Sequence, residues 1–330
     1  MPVQITIIGM GQIGASVGLA LGKHKELIRR VGHDRDYRVA RLAEKMGVVD
    51  RVSHNLPNSV KDSDIVLLAL PTDQIRDTLE LIASELKVDA VIMDTAPVKE
   101  TVAGWTRELV PEGRHYVGLT PVINPAYLHN QKTGIEAAQA DLFHSGMVAI
   151  VAPPRTPSEA IKLASDLTRL LDAMPLFADP VEIDSLMAAT HILPQLMGAA
   201  LLNVTIDQPG WREARKIAGR GYAEVTAPVG ELDEPAALCS AALYGRENVL
   251  RVLDSLVAAL QSIRQDIHQE QREALTERLE RAASGRERWW KERQKADWAG
   301  EELPQTNEPA RATNVLGNLL GFGSRKKGKP

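Results

Sequence analysis

Only one cysteine, Cys239, occurs among the 330 residues. A lone thiol excludes an intramolecular disulfide and makes no zinc site, so no metal is expected. Unbroken apolar runs are short, and none approaches the roughly 20 residues that cross a bilayer. A basic, cleavable leader is also missing, because Val3 already belongs to an apolar strand pattern. A cytoplasmic protein is the expectation. The chain lacks an excess of either charge: 39 Lys+Arg face 43 Asp+Glu, a net of -4, which argues against nucleic acid as a partner. What remains is 44% apolar and 25% charged, the composition of a globular chain with a sizeable core. The length suggests two domains.

The most informative segment is ITIIGMGQIG, residues 5–14. An apolar run feeds a loop with Gly9, Gly11 and Gly14 in G-x-G-x-x-G register, and a helical pattern follows at once. Gly9 permits the tight turn, Gly11 lets backbone approach a pyrophosphate, and Gly14 lets helix and strand pack closely. The intervening Met10, Gln12 and Ile13 bring backbone N–H groups to the helix N-terminus, where the partial charge is positive. Asp34 lies twenty residues after Gly14, at the end of the second strand pattern. A carboxylate there accepts hydrogen bonds from ribose hydroxyls and repels a 2′-phosphate, so NAD is the expected cofactor. Arg35 and Arg38 follow directly and keep NADP as the alternative. Leu70 and Pro71 end a later strand pattern, where an open sheet meets the nicotinamide half of such a cofactor; a plain strand-ending turn is the competing reading.

Residues 1–178 alternate strand and helix patterns, which predicts an α/β domain with a parallel sheet covered on both faces. Candidate strands are 3–8, 27–33, 65–70, 90–94, 115–119, 147–151 and 174–177. From residue 179 to 298 the pattern is helical almost throughout, punctuated by Pro194, Pro209, Pro228 and Pro235. Val249, Leu253, Leu256, Leu260, Ile263 and Ile267 step by four and three, a helix-packing seam. It serves either its own domain or a homodimer. Residues 299–330 read as a flexible tail. Apolar and basic residues in 315–329 would suit a membrane surface or a partner protein, and a solubilising tail is the simpler reading.

Several segments together resemble the prephenate/arogenate dehydrogenase family: the glycine loop, SDIVLLALPTDQI, VIMDTAPVKE, HYVGLTPVINP, the Ala140–Phe143 stretch, and DPVEIDSLMAATHILPQLMGAAL. The resemblance covers roughly residues 3–240. It implies an N-terminal Rossmann doubly wound sheet, a C-terminal all-helical domain that dimerises, and a small-molecule substrate. The implied reaction is oxidative decarboxylation of a cyclohexadienyl acid in tyrosine biosynthesis.

The substrate side departs from the family pattern. The loop histidine of the family is matched by Thr120, followed by Pro121. Its Asp-x-Gly-Ser-Val-Lys turn becomes Asp94-Thr95-Ala96-Pro97-Val98-Lys99, and the second histidine of its Ser-His-Leu-Pro-His stretch becomes Gln195. The first histidine is displaced by one place to His191. Both arginines of Gly-Phe-Arg-Asp-x-Thr-Arg read as alanine, at Ala223 and Ala227. Candidate catalytic groups are therefore His191, Thr120, Gln195 and Lys99. His191 is a general acid/base or a helix-buried histidine, and Lys99 holds a carboxylate or phosphate or caps its turn. Asp184, His191 and Gln195 fall at helical spacing on one expected face. Arg212, Arg215 and Arg220 replace the missing arginines or form a solvated face. Two functional readings follow: an oxidoreductase of the prephenate dehydrogenase type, including one acting on a different small acid or imine, and a non-catalytic NAD-binding paralogue.

Overall fold

The computed structural model describes residues 2–130, 132–230 and 235–296. The tail assigned to 299–330, with its apolar and basic segment 315–329, lies outside the described residues. Eight strands form one sheet: β1 (Val3–Ile8), β2 (Ile28–His33), β3 (Arg51–Val52), β4 (Ile65–Leu68), β5 (Val91–Asp94), β6 (His115–Val122), β7 (Met147–Val151) and β8 (Met174–Phe177), in the order β3-β2-β1-β4-β5-β6-β7-β8. β1, β4 and β5 are buried at every residue, as expected for strands covered on both faces. One core, built on Ile5, Ile7, Leu67 and Val117, lies beneath α1 (Gln12–Leu21) and α2 (Tyr37–Lys45). The other, built on Ile8, Val66, Leu68 and Ile92, lies on the opposite face beneath α3 (Leu56–Val60), α4 (Thr72–Ile82) and α5 (Lys99–Leu109).

The sheet is not wholly parallel. β6 and β7 pair antiparallel, with Thr120 opposite Ala149. Among the described residues their connection holds two short 3-10 turns, at Pro125–Tyr127 and Gly134–Ala137, and no crossover helix, so β7 returns alongside its predecessor. β6 also runs three residues past the predicted end, through Pro121. Pairing with β5 stops at Gly118, so the missing Pro121 N–H faces a side with no strand, and no ladder bond is lost. α6 (Ser158–Leu170) makes the crossover to β8.

The helical domain follows: α7 (Pro180–Met187), a π-helical turn at Ala188–Ile192, α8 (Leu193–Ile206), α9 (Trp211–Ile217), α10 (Arg220–Gly230), α11 (Pro235–Tyr244), α12 (Arg246–His268) and α13 (Arg272–Lys295). Its small core gathers Ala188, Ile192, Ala241, Val249 and Val252. The α12 seam is buried at its amino end and then opens to solvent, with Leu260 55% and Ile267 59% exposed. Membrane-spanning length enters where the sequence reading expected none. α7, the π turn and α8 join into one 27-residue run, Pro180–Ile206, of hydropathy 1.3, long and apolar enough by length and composition to cross a membrane. Asp184 within it caps a helix of the sheet domain, and Ala188 and Ile192 are core residues. Its amino half is thus packed into the protein, while α8 is half-buried or exposed apart from Gly198.

A buried polar cluster ties the two domains together. The Asp94 carboxylate accepts from Lys99 Nζ at 2.9 Å, Tyr116 OH at 2.6 Å and the Ala96 N–H at 2.7 Å. Asp184 of α7 accepts from the Lys99 and Glu100 N–H groups at 2.5 and 3.1 Å, capping α5 from across the domain boundary. Burial pulls the Lys99 ammonium below its ordinary pKa, with Asp94 opposing, and drives the Tyr116 phenol well above its ordinary value. Removing one partner of such a pair strands a charge in the core. Asp94→Ala is expected to lower the unfolding free energy by about 3–5 kcal/mol, measured by urea denaturation.

Candidate active site

A cavity of about 920 Å³ opens at the carboxyl ends of β1, β2 and β4, where the strand order reverses direction. Gly9, Met10, Gly11, Gln12, Ile13, Asp34, Arg35, Leu70 and Pro71 all line it. The three glycines hold their places for different reasons. Gly9 has φ +92, and a Cβ on it would strike the Ala69 carbonyl. A Cβ on Gly14 would strike the Gly9 carbonyl. These two are required by the packing of α1 against β1 and β4. Gly11 has φ -70, and a Cβ on it meets nothing within 4 Å. The fold itself does not need glycine there. The space a side chain would fill is open to the cavity, at the N-cap of a helix whose first turn carries no capping side chain and no acid. That cradle fits a diphosphate.

Asp34 is half-buried at the end of β2 and braces the loop. Its Oδ2 accepts from the Met10 N–H at 2.8 Å and its Oδ1 from the Asp36 N–H at 2.8 Å. Each oxygen keeps acceptor capacity toward the cavity, as a ribose diol requires. Arg38, the other basic residue near this position, is paired with Asp36 at 3.0 Å and is exposed. The sequence reading missed the wall opposite the glycine loop. Asp73, Gln74, Asp77 and Thr78 of α4 line it, as do Gly134 and Ile135 of the β6–β7 connection. Asp73 Oδ1 is buried with no hydrogen-bond partner, an acceptor left over at the cavity wall. The helical spacing 73, 74, 77 and 78 was the available signal.

The four candidate catalytic residues separate. His191 lines the nucleotide cavity from the helical domain. Its imidazole makes no hydrogen bond among the described residues and is open to solvent at the cavity, so it is not the helix-buried histidine of the alternative reading; the protein atoms around it still lower its pKa from the ordinary 6.5. Gln195 donates from Nε2 to the His191 carbonyl at 2.8 Å and so serves the backbone beside the π turn. Thr120 is 7% exposed, and its Oγ1 is buried without a partner. It shares a sheet face with Tyr116 and Gly118, the side on which the Lys99 stem lies. Lys99 is fully buried against Asp94 and does not line the cavity, which departs from the expectation that it holds a carboxylate or phosphate. The shared face expected for Asp184, His191 and Gln195 is likewise divided: Asp184 caps α5, and the π turn intervenes. Arg212 and Arg215 are exposed, and Arg220 pairs with Glu224 at 2.7 Å. A buried arginine does approach the β6 exit: Arg293 of α13 donates to the Ile123 carbonyl, and Trp290 packs against His129 with centroids 5.3 Å apart.

Two family models divide the chain along the same lines. The one described as prephenate dehydrogenase, nucleotide-binding domain matches residues 17–174, and the one described as prephenate dehydrogenase, dimerization domain matches 179–281. The chain belongs to the prephenate dehydrogenase family. Among similar proteins of this family, a prephenate dehydrogenase of Bacillus subtilis is 24% identical over 82% of this chain and 72% of its own length. A cyclohexadienyl dehydrogenase of Zymomonas mobilis is 23% identical over 86% and 94%. The crystal structure of prephenate dehydrogenase from A. aeolicus, in complex with hydroxyphenyl propionate and NAD+, superposes with a TM-score of 0.76 at 20% identity. It covers 87% of this chain and 98% of its own, and so shares the fold.

The open space at Gly11 gives a clean test of the nucleotide-binding domain. A Cβ on Gly11 meets no atom of its own chain within 4 Å, so the stability loss of Gly11→Val is expected to stay near 1 kcal/mol, the scale of an N-cap change. Calorimetric titration should show dinucleotide binding abolished while thermal unfolding is nearly unchanged.

Proposed function

We propose that this chain is an NAD-dependent oxidoreductase of the cytoplasm that oxidatively decarboxylates a cyclohexadienyl acid of the prephenate or arogenate type. The observation that carries this reading is the placement of the His191 imidazole in the same cavity as the glycine loop. NAD, when bound, accepts hydride from the ring carbon as carbon dioxide leaves and the ring becomes aromatic. The chain must then bind the diphosphate, orient the ring and take the proton of the ring hydroxyl. The amino end of α1 and Asp34 supply the first. Of the candidate catalytic groups His191 alone lines the cavity, and its imidazole, held below its ordinary pKa, can accept a proton in its neutral form. Asp34 favours NAD over NADP by repelling a 2′-phosphate.

The same reading takes the protein as a homodimer through its helical domain. The exposed half of the α12 seam and Ile217, 85% exposed, leave apolar surface that a second copy would cover. The match to a dimerization domain supports this.

A second reading has its own support. Thr120, where the family resemblance places a histidine, cannot take a proton near neutral pH, and its hydroxyl has no partner. A non-catalytic dinucleotide-binding protein would look like this on the substrate side. The two readings separate in one assay of NADH absorbance with prephenate and with arogenate. The oxidoreductase reading expects turnover, slowed at least about a hundredfold relative to enzymes that carry a histidine at the Thr120 position, the scale of removing one acid–base group from the site. NAD binding without NADH formation on either acid would overturn the prephenate- or arogenate-type reading and leave the non-catalytic protein or a dehydrogenase of a different small acid or imine.

The pH dependence follows from His191. A base acts in its neutral form, so activity falls as pH drops through its pKa, and that pKa lies below 6.5. The acid limb of kcat/KM is expected below pH 6.5 and should vanish in His191→Asn. A limb that persists unchanged would assign the base elsewhere.

A further inference from the structure

A second cavity, of about 240 Å³, lies at the edge of the sheet opposite the nucleotide site. It is bounded by the amino ends of β5 and β6, the carboxyl half of α5 and the loop after β7. Arg107, Arg114, His115 and Arg155 line it, and Glu112 is the acid among its lining residues. The local sign is opposite to the chain's overall charge of -4.

Three guanidinium charges here face no carboxylate partner. Arg114 directs Nε and Nη2 to the Leu86 carbonyl and Nη1 to the Glu112 carbonyl, all neutral acceptors, so its charge is held in place and left uncompensated. Among the described residues, the Arg107 and Arg155 side chains make no hydrogen bond or ion pair. Elsewhere on this surface arginines do find acids: Arg76 with Glu108, Arg220 with Glu224, Arg278 with Asp266.

The wall carrying Arg155 is stiff. Arg155 sits at φ +72, an uncommon backbone conformation for a side chain of this size. Pro153, Pro154 and Pro157 surround it, and Thr156 donates both its N–H and its hydroxyl to the Pro153 carbonyl, at 3.1 and 2.8 Å. A loop of this kind fixes the backbone from which the Arg155 side chain projects. The amino end of α6, with no capping side chain, begins directly after it.

We infer that this cavity is a binding site for a small dianionic oxyanion, of phosphate or dicarboxylate type, distinct from the nucleotide site. Arg107 and Arg155 close on the anion from α5 and from the β7–α6 loop, and Arg114 supplies the fixed charge behind it. Paired guanidinium donors suit the planar or tetrahedral oxygens of such groups.

The test uses the full chain saturated with NAD, which removes the glycine loop as a competing phosphate site. Inorganic phosphate and succinate are titrated separately by calorimetry, into this protein and into Arg107→Gln/Arg155→Gln. Both substituted side chains are exposed, so the variant should unfold at the same temperature as the parent. The expected result is saturable binding of at least one anion, weakened about tenfold or more in the variant, with NAD affinity unchanged. Phosphate binding identifies a phosphoryl ligand, and succinate binding alone identifies a dicarboxylate. Absence of saturable binding for both anions, or equal binding to parent and variant, overturns the proposal.

Discussion

The amino end of α1 can sit where it does only because two residues have no side chain. Gly9 turns at positive φ beneath the Ala69 carbonyl, and Gly14 lies against the Gly9 carbonyl. This contact sets the distance between the first helix and the strand pair β1–β4. The rest of the nucleotide cavity is measured from that distance. With α1 pressed inward, its uncapped N–H groups face the crevice at the strand-order reversal, and Asp34 can reach back from β2 to hold the Met10 N–H. Gly11 is different in kind. Nothing in the fold requires it, so its missing side chain is explained by what must approach from outside.

A second constraint places the helical domain. Lys99 is fully buried, and its ammonium is tolerable there only because Asp94 stands at the end of β5 and Tyr116 on β6 completes the carboxylate's bonds. Gly118 makes room for the lysine stem, since a Cβ there would lie 2.8 Å from Lys99 Cδ. With the first residue of α5 pinned, Asp184 caps that helix from the other domain. The cap fixes where α7 starts and therefore where the following turn delivers His191. Of the two sequence readings of Lys99, ligand holder or turn cap, the bonds to the Asp94 carbonyl and carboxylate agree with the second and make it a foundation for the site.

Most of the sheet domain was legible because its signals are local. Apolar runs of four to six residues bounded by Gly, Asp or Pro mark strands, and the bounds of β1, β7 and β8 agree with the pattern to the residue, although β8 at the sheet edge is half-buried or exposed throughout. β3 is two residues long and half-buried, too short to show any period. The antiparallel β6–β7 pair was hidden for another reason: direction depends on what fills the connection, and the two short 3-10 turns found there among the described residues leave no periodic signal in the sequence. The nucleotide side of the site was readable because glycine spacing encodes backbone geometry. The α4 wall was not, since Asp73 and Asp77 also look like the polar face of any surface helix.

The displaced histidine shows how local backbone irregularity redirects chemistry. Pro194 has no N–H for the Thr190 carbonyl, and its ring crowds the preceding turn. The chain answers with a π turn over Ala188–Ile192, in which the Leu193 N–H reaches back to the Ala188 carbonyl. Such a turn holds one residue more than an α-helical turn, so every side chain after it is rotated relative to those before it. Gln195 then bonds the His191 carbonyl through its side chain, which keeps the loosened turn satisfied. The wider turn therefore changes the register between the side chains of α7 and those of α8, and within it the His191 imidazole opens into the nucleotide cavity.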